Sequence, residues 1–126
     1  MPLQDRVLSI RVSDIGTAGG QAGSGYAVSP VSGRVTRIIA ATDLQATTTA
    51  AVITPAIAAP GSGTFVAMGG TMSIGTAVVA GQSVDFTPSG PNFVQAGGTI
   101  RVASDGGPAN TPAGYFTVIV REGGAA

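Results

Sequence analysis

Twelve side chains carry a full charge near neutral pH, six acids and six bases. The acids are Asp5, Asp14, Asp43, Asp85, Asp105 and Glu122. No two of them fall at calcium-loop spacing. A glycosidase-type carboxylate pair would require distant acids to converge in the fold. The simpler reading puts them in turns, on the surface and in ion pairs, with Asp105 before Gly106 as a turn residue. Ten serines are present, but there is no histidine or lysine to activate one as a nucleophile. The run from Gly16 to Gly25 has the glycine density of a phosphate loop, without its lysine or its strand–helix setting. With neither cysteine nor histidine, thiolate chemistry, imidazole acid–base chemistry and the usual zinc and iron–sulfur ligand sets are excluded. No catalytic residue, cofactor site or metal site is expected, and the chain is read as a non-enzyme.

The chemistry that remains is that of contact. All six bases are arginine: Arg6, Arg11, Arg34, Arg37, Arg101 and Arg121. A planar guanidinium pairs with carboxylates while its stem packs on apolar surface, which favours arginine at interfaces. Interface contact is weighed against simple solvation for Arg6 and Arg11, and a solvated face is favoured for the other four. Phe65, Met68 and Met72 lie in a stretch between Asp43 and Asp85 that carries no charge. They read as ordinary core, with a possible oligomer contact as the sharper alternative.

These residues need strands to position them. Val, Ile, Thr and Gly dominate, and helix formers are scarce. Residues 6–12 alternate, with Leu8, Ile10 and Val12 on one face. The glycine-rich run after them has linker composition. Residues 1–25 are therefore expected to form an extended N-terminal arm, whose interface candidates are Leu3, Arg6, Leu8, Ile10, Arg11 and Val12. Residues 26–126 are expected to form the β-sandwich domain. There Ile38 and Ala40 should oppose Val35 and Ile39. Pro55 should push its strand to a sheet edge. Short strands are expected over residues 64–68, 71–74, 77–79 and 84–86. Tyr115 to Arg121 reads as a strand with both faces largely apolar, which suits either a central position in a sheet or a subunit contact. About eight short strands in this length suit an all-β antiparallel β-sandwich, jelly-roll-like.

The chain has 126 residues, enough for one domain, and only 10% of them are charged. The formal net charge is zero and there is no basic run. Neither nucleic acid nor an anionic membrane is an expected partner. The N-terminal residues MPLQDRVLSIRV lack the long apolar run of a signal peptide. No stretch has the roughly 20 continuous apolar residues of a membrane span. Synthesis in the cytoplasm is therefore expected. Low charge and a modest aromatic content also point to an oligomer that hides further surface.

The order of turns and strands resembles the small β-sandwich decoration, or cement, proteins of tailed double-stranded DNA bacteriophages. The residues that carry the likeness begin with VSPVSGRVTRI from Val28 to Ile38 and GTMSI from Gly70 to Ile74. They continue with VDFTP from Val84 to Pro88 and VQAGGTIRV from Val94 to Val102. SDGG from Ser104 to Gly107 and GYFTVIV from Gly114 to Val120 close the series. The resemblance implies a virion protein on the outer capsid surface, with the major capsid protein as its partner. It also implies a homo-oligomer, a trimer, that locks neighbouring capsomers together. The apolar middle of this chain departs from that pattern. The rival reading is a receptor- or glycan-binding β-sandwich module of a phage capsid or tail fibre, with Tyr26 and Tyr115 as the candidate stacking residues.

Overall fold

A computed structural model describes residues 4–16 and 23–123 of the chain. It contains ten strands: β1 (Asp5–Val12), β2 (Ser24–Val28), β3 (Gly33–Thr42), β4 (Ala51–Ala58) and β5 (Val66–Ala67), then β6 (Met72–Ile74), β7 (Val84–Phe86), β8 (Phe93–Val94), β9 (Thr99–Ser104) and β10 (Gly114–Glu122). No helix occurs among the described residues. Sheet A runs β1-β10-β3-β7, with β8 also paired to β3. Sheet B runs β2-β9-β4-β5, with β6 also paired to β4. Every pairing is antiparallel. The chain is all-β, as its composition predicts, and β10 is central in its sheet.

Strand alternation decides what lies between the sheets. Sheet A turns Ile10, Val12, Val35, Ile38, Phe116, Val118 and Val120 inward, and sheet B supplies Ile53, Ile57, Met72, Ile74, Ile100 and Val102. Burying a side chain of this size contributes about 1.5–3 kcal/mol over leaving it in water.

The inward set of β3 departs from simple alternation. Val35, Ile38 and Ala40 are all buried, and Ile39 faces outward. The register explains this. Ile119 of β10 pairs with Arg37, the next residue Val120 pairs with Val35, and Thr36 is left over. That extra residue is a β-bulge, which shifts the phase of the strand by one. The expected grouping of Val35 with Ile39 is corrected accordingly.

Pro55 does not sit on an edge strand. β4 pairs with β9 on one side and with β5 and β6 on the other. The Pro55 carbonyl accepts the Met68 N–H on the β5/β6 side, in the gap between those two short strands. In a strand, a residue's N and C=O point the same way, so the missing N–H also faces this gap. The ladder to β9 loses nothing. Residues 77–79 form no strand either. Val78 N–H bonds Gly75 O and Gln82 N–H bonds Val79 O, so the chain makes two successive turns before β7.

Nor are residues 5–12 a detached arm. β1 pairs along its whole length with β10, from Asp5 opposite Arg121 to Val12 opposite Gly114. Ile15 beyond it is buried as well, and its N–H bonds Pro112 O. The alternation that made this segment a good docking strand makes it equally good at closing the edge of its own sheet. The expected boundary at residue 25 falls inside β2. Residues 1–3 and 17–22 of the expected arm lie outside the described residues.

Candidate functional site

The expected interface residues scatter once the chain is folded. Leu3 lies outside the described residues. Arg6 is exposed at the sandwich rim, where its Nε meets Glu122 Oε2 at 3.2 Å. Leu8 is half-buried against the core. Ile10 and Val12 are 2% and 1% exposed, so the assignment of their side chains to a partner surface is corrected: the pleat turns them into this chain's own core. Arg11 stays on the outer face, 5.6 Å from the centre of the Tyr115 ring. A hydrogen bond with Tyr115 raises its pKa further. Met68 and Met72 are 0% and 2% exposed and belong to the core, which corrects their reading as oligomer contacts. Phe65, in contrast, is only half-buried.

The six acids are already engaged. Asp5 bonds Arg121 at 3.0 Å, Asp85 bonds Arg37 at 2.7 Å and Glu122 bonds Arg6. Asp14 accepts the Gly16 N–H and Asp43 accepts the Ala113 N–H. Asp105 accepts the N–H groups of both Val52 and Gly107. Among the described residues no three His, Cys, Asp or Glu side chains gather into a group that could hold a metal ion. No helix there is long and apolar enough to cross a membrane.

Charge is divided unequally between the two outer faces. The outer face of sheet A carries Asp5, Arg11, Arg34, Arg37, Asp85 and Arg121 around Tyr115, Thr117 and Ile119. Arg37 with Asp85 and Arg121 with Asp5 are paired across strands, and Arg34 bonds Asn92 Oδ1 at 3.1 Å. The outer face of sheet B is built from Ser24, Tyr26 and Val28 of β2, Thr99, Arg101 and Ala103 of β9, and Thr54, Ala56 and Ala58 of β4. Asp105 lies exposed just beyond the end of β9, and Arg101 is the single charge among these strand positions.

A cluster forms around that charge. Register sets Arg101 between Tyr26 on β2 and Ala56 on β4. Phe65, just before β5, folds back so that the Arg101 guanidinium lies 4.3 Å from its ring centre. The Tyr26 and Phe65 rings are 6.1 Å apart and tilted by 52°. Tyr26 and Val28 are 59% and 61% exposed, so the cluster sits on an open apolar face. Among the described residues the buried Nε of Arg101 has no hydrogen-bond partner. Sequence reasoning missed the cluster. Its members are 36 and 39 residues apart, and only strand register brings them together.

A half-open cleft of about 390 Å³ lies at one end of the sandwich, lined by Ile57, Val66, Phe93 and Gln95 among others. No titratable side chain lines it. Compared with protein-family models, with curated proteins and with solved structures, the chain matches none.

Proposed function

We propose that the chain is a structural, non-enzymatic virion protein that binds the outer surface of a phage capsid and ties neighbouring capsomers together. The reading rests on the turn-and-strand order that resembles phage decoration proteins. The observation that carries it is the outer face of sheet B. That face exposes Tyr26 and Val28, and its strand positions hold one cation where those of the opposite face hold six ions. An interface core is depleted in charge and enriched in aromatic residues and arginine. We place the capsid contact on this face, not on β1.

The connectivity supports a jelly-roll assignment. β1 pairs with β10 and β2 with β9; β3 then adds to β10 and β4 to β9, with β7 and β8 beyond β3 and with β5 and β6 beyond β4. This is the nested order that two interlocked Greek keys produce. Homotrimer formation belongs to the same proposal, because symmetry multiplies a modest contact into firm attachment.

The test is co-sedimentation with washed, undecorated phage heads, together with light scattering of the free protein. The reading expects saturable binding at fixed stoichiometry and a trimeric mass. A monomer that stays in the supernatant sinks it.

One observation favours a second reading, a glycan- or receptor-binding module. Tyr26 is exposed and has Phe65 beside it, and paired rings of this kind stack on sugars. A glycan array separates the two: a specific hit lost in Tyr26→Ala favours the second reading.

A further inference from the structure

We infer that the Tyr26–Arg101–Phe65 cluster is an anchor for a carboxylate side chain, Asp or Glu, presented by a partner protein of different sequence. The identification of that partner as a capsid protein rests on the proposed function; the carboxylate chemistry does not.

Arg101 stands apart from the other described arginines. Arg6, Arg37 and Arg121 each hold a carboxylate, Arg34 bonds Asn92, and Arg11 bonds Tyr115. Arg101 has an aromatic contact and an unpartnered buried Nε. The Phe65 ring centre lies 4.3 Å from the guanidinium carbon, and among the described residues the guanidinium N–H groups take no hydrogen-bond partner. Those groups form a fork that matches the two oxygens of a carboxylate. The ring and the small neighbours Ala56, opposite in register, and Ala103, two residues along β9, flank the arginine. They exclude water once a second surface closes over it, the setting in which an arginine becomes a binding hot spot.

Charge complementarity selects the occupant. Among the strand positions of this face Arg101 is the one charge, and Asp105 just beyond β9 is already bonded to the Val52 and Gly107 N–H groups, so the complement to Arg101 is a negative group from a partner. A second copy of this chain is a poor source. All six of its carboxylates are bonded internally, and a two-fold contact through this face would oppose Arg101 to itself. Nucleic acid and anionic membrane need several cations together, and only one is present.

The test has two arms. The first is an NMR titration of the full chain, following the Arg101 Nε–Hε signal. The probes are the blocked tripeptides Ac-Ala-Glu-Ala-NH2 and Ac-Ala-Gln-Ala-NH2, inorganic phosphate and sialyllactose. The inference expects the glutamate peptide to move the signal and the glutamine peptide to leave it in place. Equal responses, no response, or a response to phosphate or sialyllactose alone overturns it. The second arm compares undecorated heads binding wild type, Arg101→Lys and Arg101→Gln, with thermal midpoints confirming that each variant is folded. Arg101→Gln is expected to bind about tenfold more weakly or worse, with Arg101→Lys between, because a desolvated charge pair loses both its fork and its charge. Undiminished binding by Arg101→Gln overturns the inference and leaves the capsid reading standing. A glutamate-peptide response in a protein that ignores heads supports the inference and sinks the capsid reading.

Discussion

The Arg37 guanidinium holds the Asp85 carboxylate at 2.7 Å, diagonally across the β3–β7 pair. The hydrogen bond from Arg37 pulls the Asp85 pKa below the ordinary aspartate value, against a smaller opposing effect of desolvation. The Arg37 pKa rises for the same reason. Because the carboxyl is more acidic in the folded state, the pair stabilises the protein above the ordinary aspartate pKa. That contribution fades as pH falls through the lowered value. Both side chains are half-exposed, so the effect is small. In a carboxyl-detected NMR titration, Asp85 should titrate below the usual range, and Arg37→Gln should return it. Identical midpoints in the two proteins would refute the pairing.

Residues 5–12 are predicted to be indispensable to the fold. Ile10 faces Phe116 across the β1–β10 pair, and each is 2% exposed. Ile10→Ala should cost about 2–5 kcal/mol through lost burial and the cavity left behind. Removal of residues 1–12 should leave a chain that is not cooperatively folded. Urea denaturation followed by circular dichroism reads both, and a truncated chain with an unchanged unfolding midpoint would restore the detached-arm view.

Ser104 supplies a second stability test. Its buried hydroxyl donates to Ile15 O at 2.6 Å and accepts the Gly106 N–H at 3.1 Å. Ser104→Ala leaves both backbone groups unpaired, at a cost of about 1–3 kcal/mol. Faster amide exchange at Gly106 should accompany the loss. Unaltered exchange and stability would mean that water replaces the hydroxyl.

Gly69 joins the β5–β6 connection to the loop after β7. Its φ is +74°, and an added Cβ would collide with the Gly90 backbone. The Gly90 N–H bonds Met68 O at this crossing. Gly69→Ala should destabilise the protein by more than the roughly 1–2 kcal/mol of a left-handed alanine. Gly61→Ala, at the same φ but in open space, should cost less. Equal thermal midpoints for the two variants would remove the close approach as an explanation.

Much of sheet A was legible in the residues. Phe116, Val118 and Val120 alternate with polar or outward neighbours, and so do Leu8, Ile10 and Val12, because one face of each strand meets the core. What they could not disclose was the partner. An alternating strand is as well suited to a neighbour's edge as to its own, so β1 looked detachable. The bulge at Thr36 was illegible for a related reason: it exists only in the register with Ile119 and Val120. Pro55 misled because the rule against proline in central strands assumes an unbroken neighbour, and here the neighbour breaks between β5 and β6. Of the candidate site, Tyr26 and Phe65 stood out singly, as stacking and oligomer-contact candidates, but their grouping with Arg101 was not legible. Arg101 has an ordinary strand context, and its chemistry comes from Tyr26 and Phe65, which sequence distance keeps apart.

The β1–β10 pair also sets the order in which the molecule can be completed. Arg6 and Glu122, which meet at its end, are 116 positions apart. On the ribosome, β1 emerges before β2 to β9 and must wait for β10, so the Leu8–Ile10–Val12 ridge lacks this partner while all of the intervening strands are made. Contacts of such long sequence separation slow folding, and the waiting strand is the part of the nascent chain most open to wrong pairing. Yield at high expression should therefore be governed by how long that ridge goes without its partner, and slower synthesis alone would not shorten the wait.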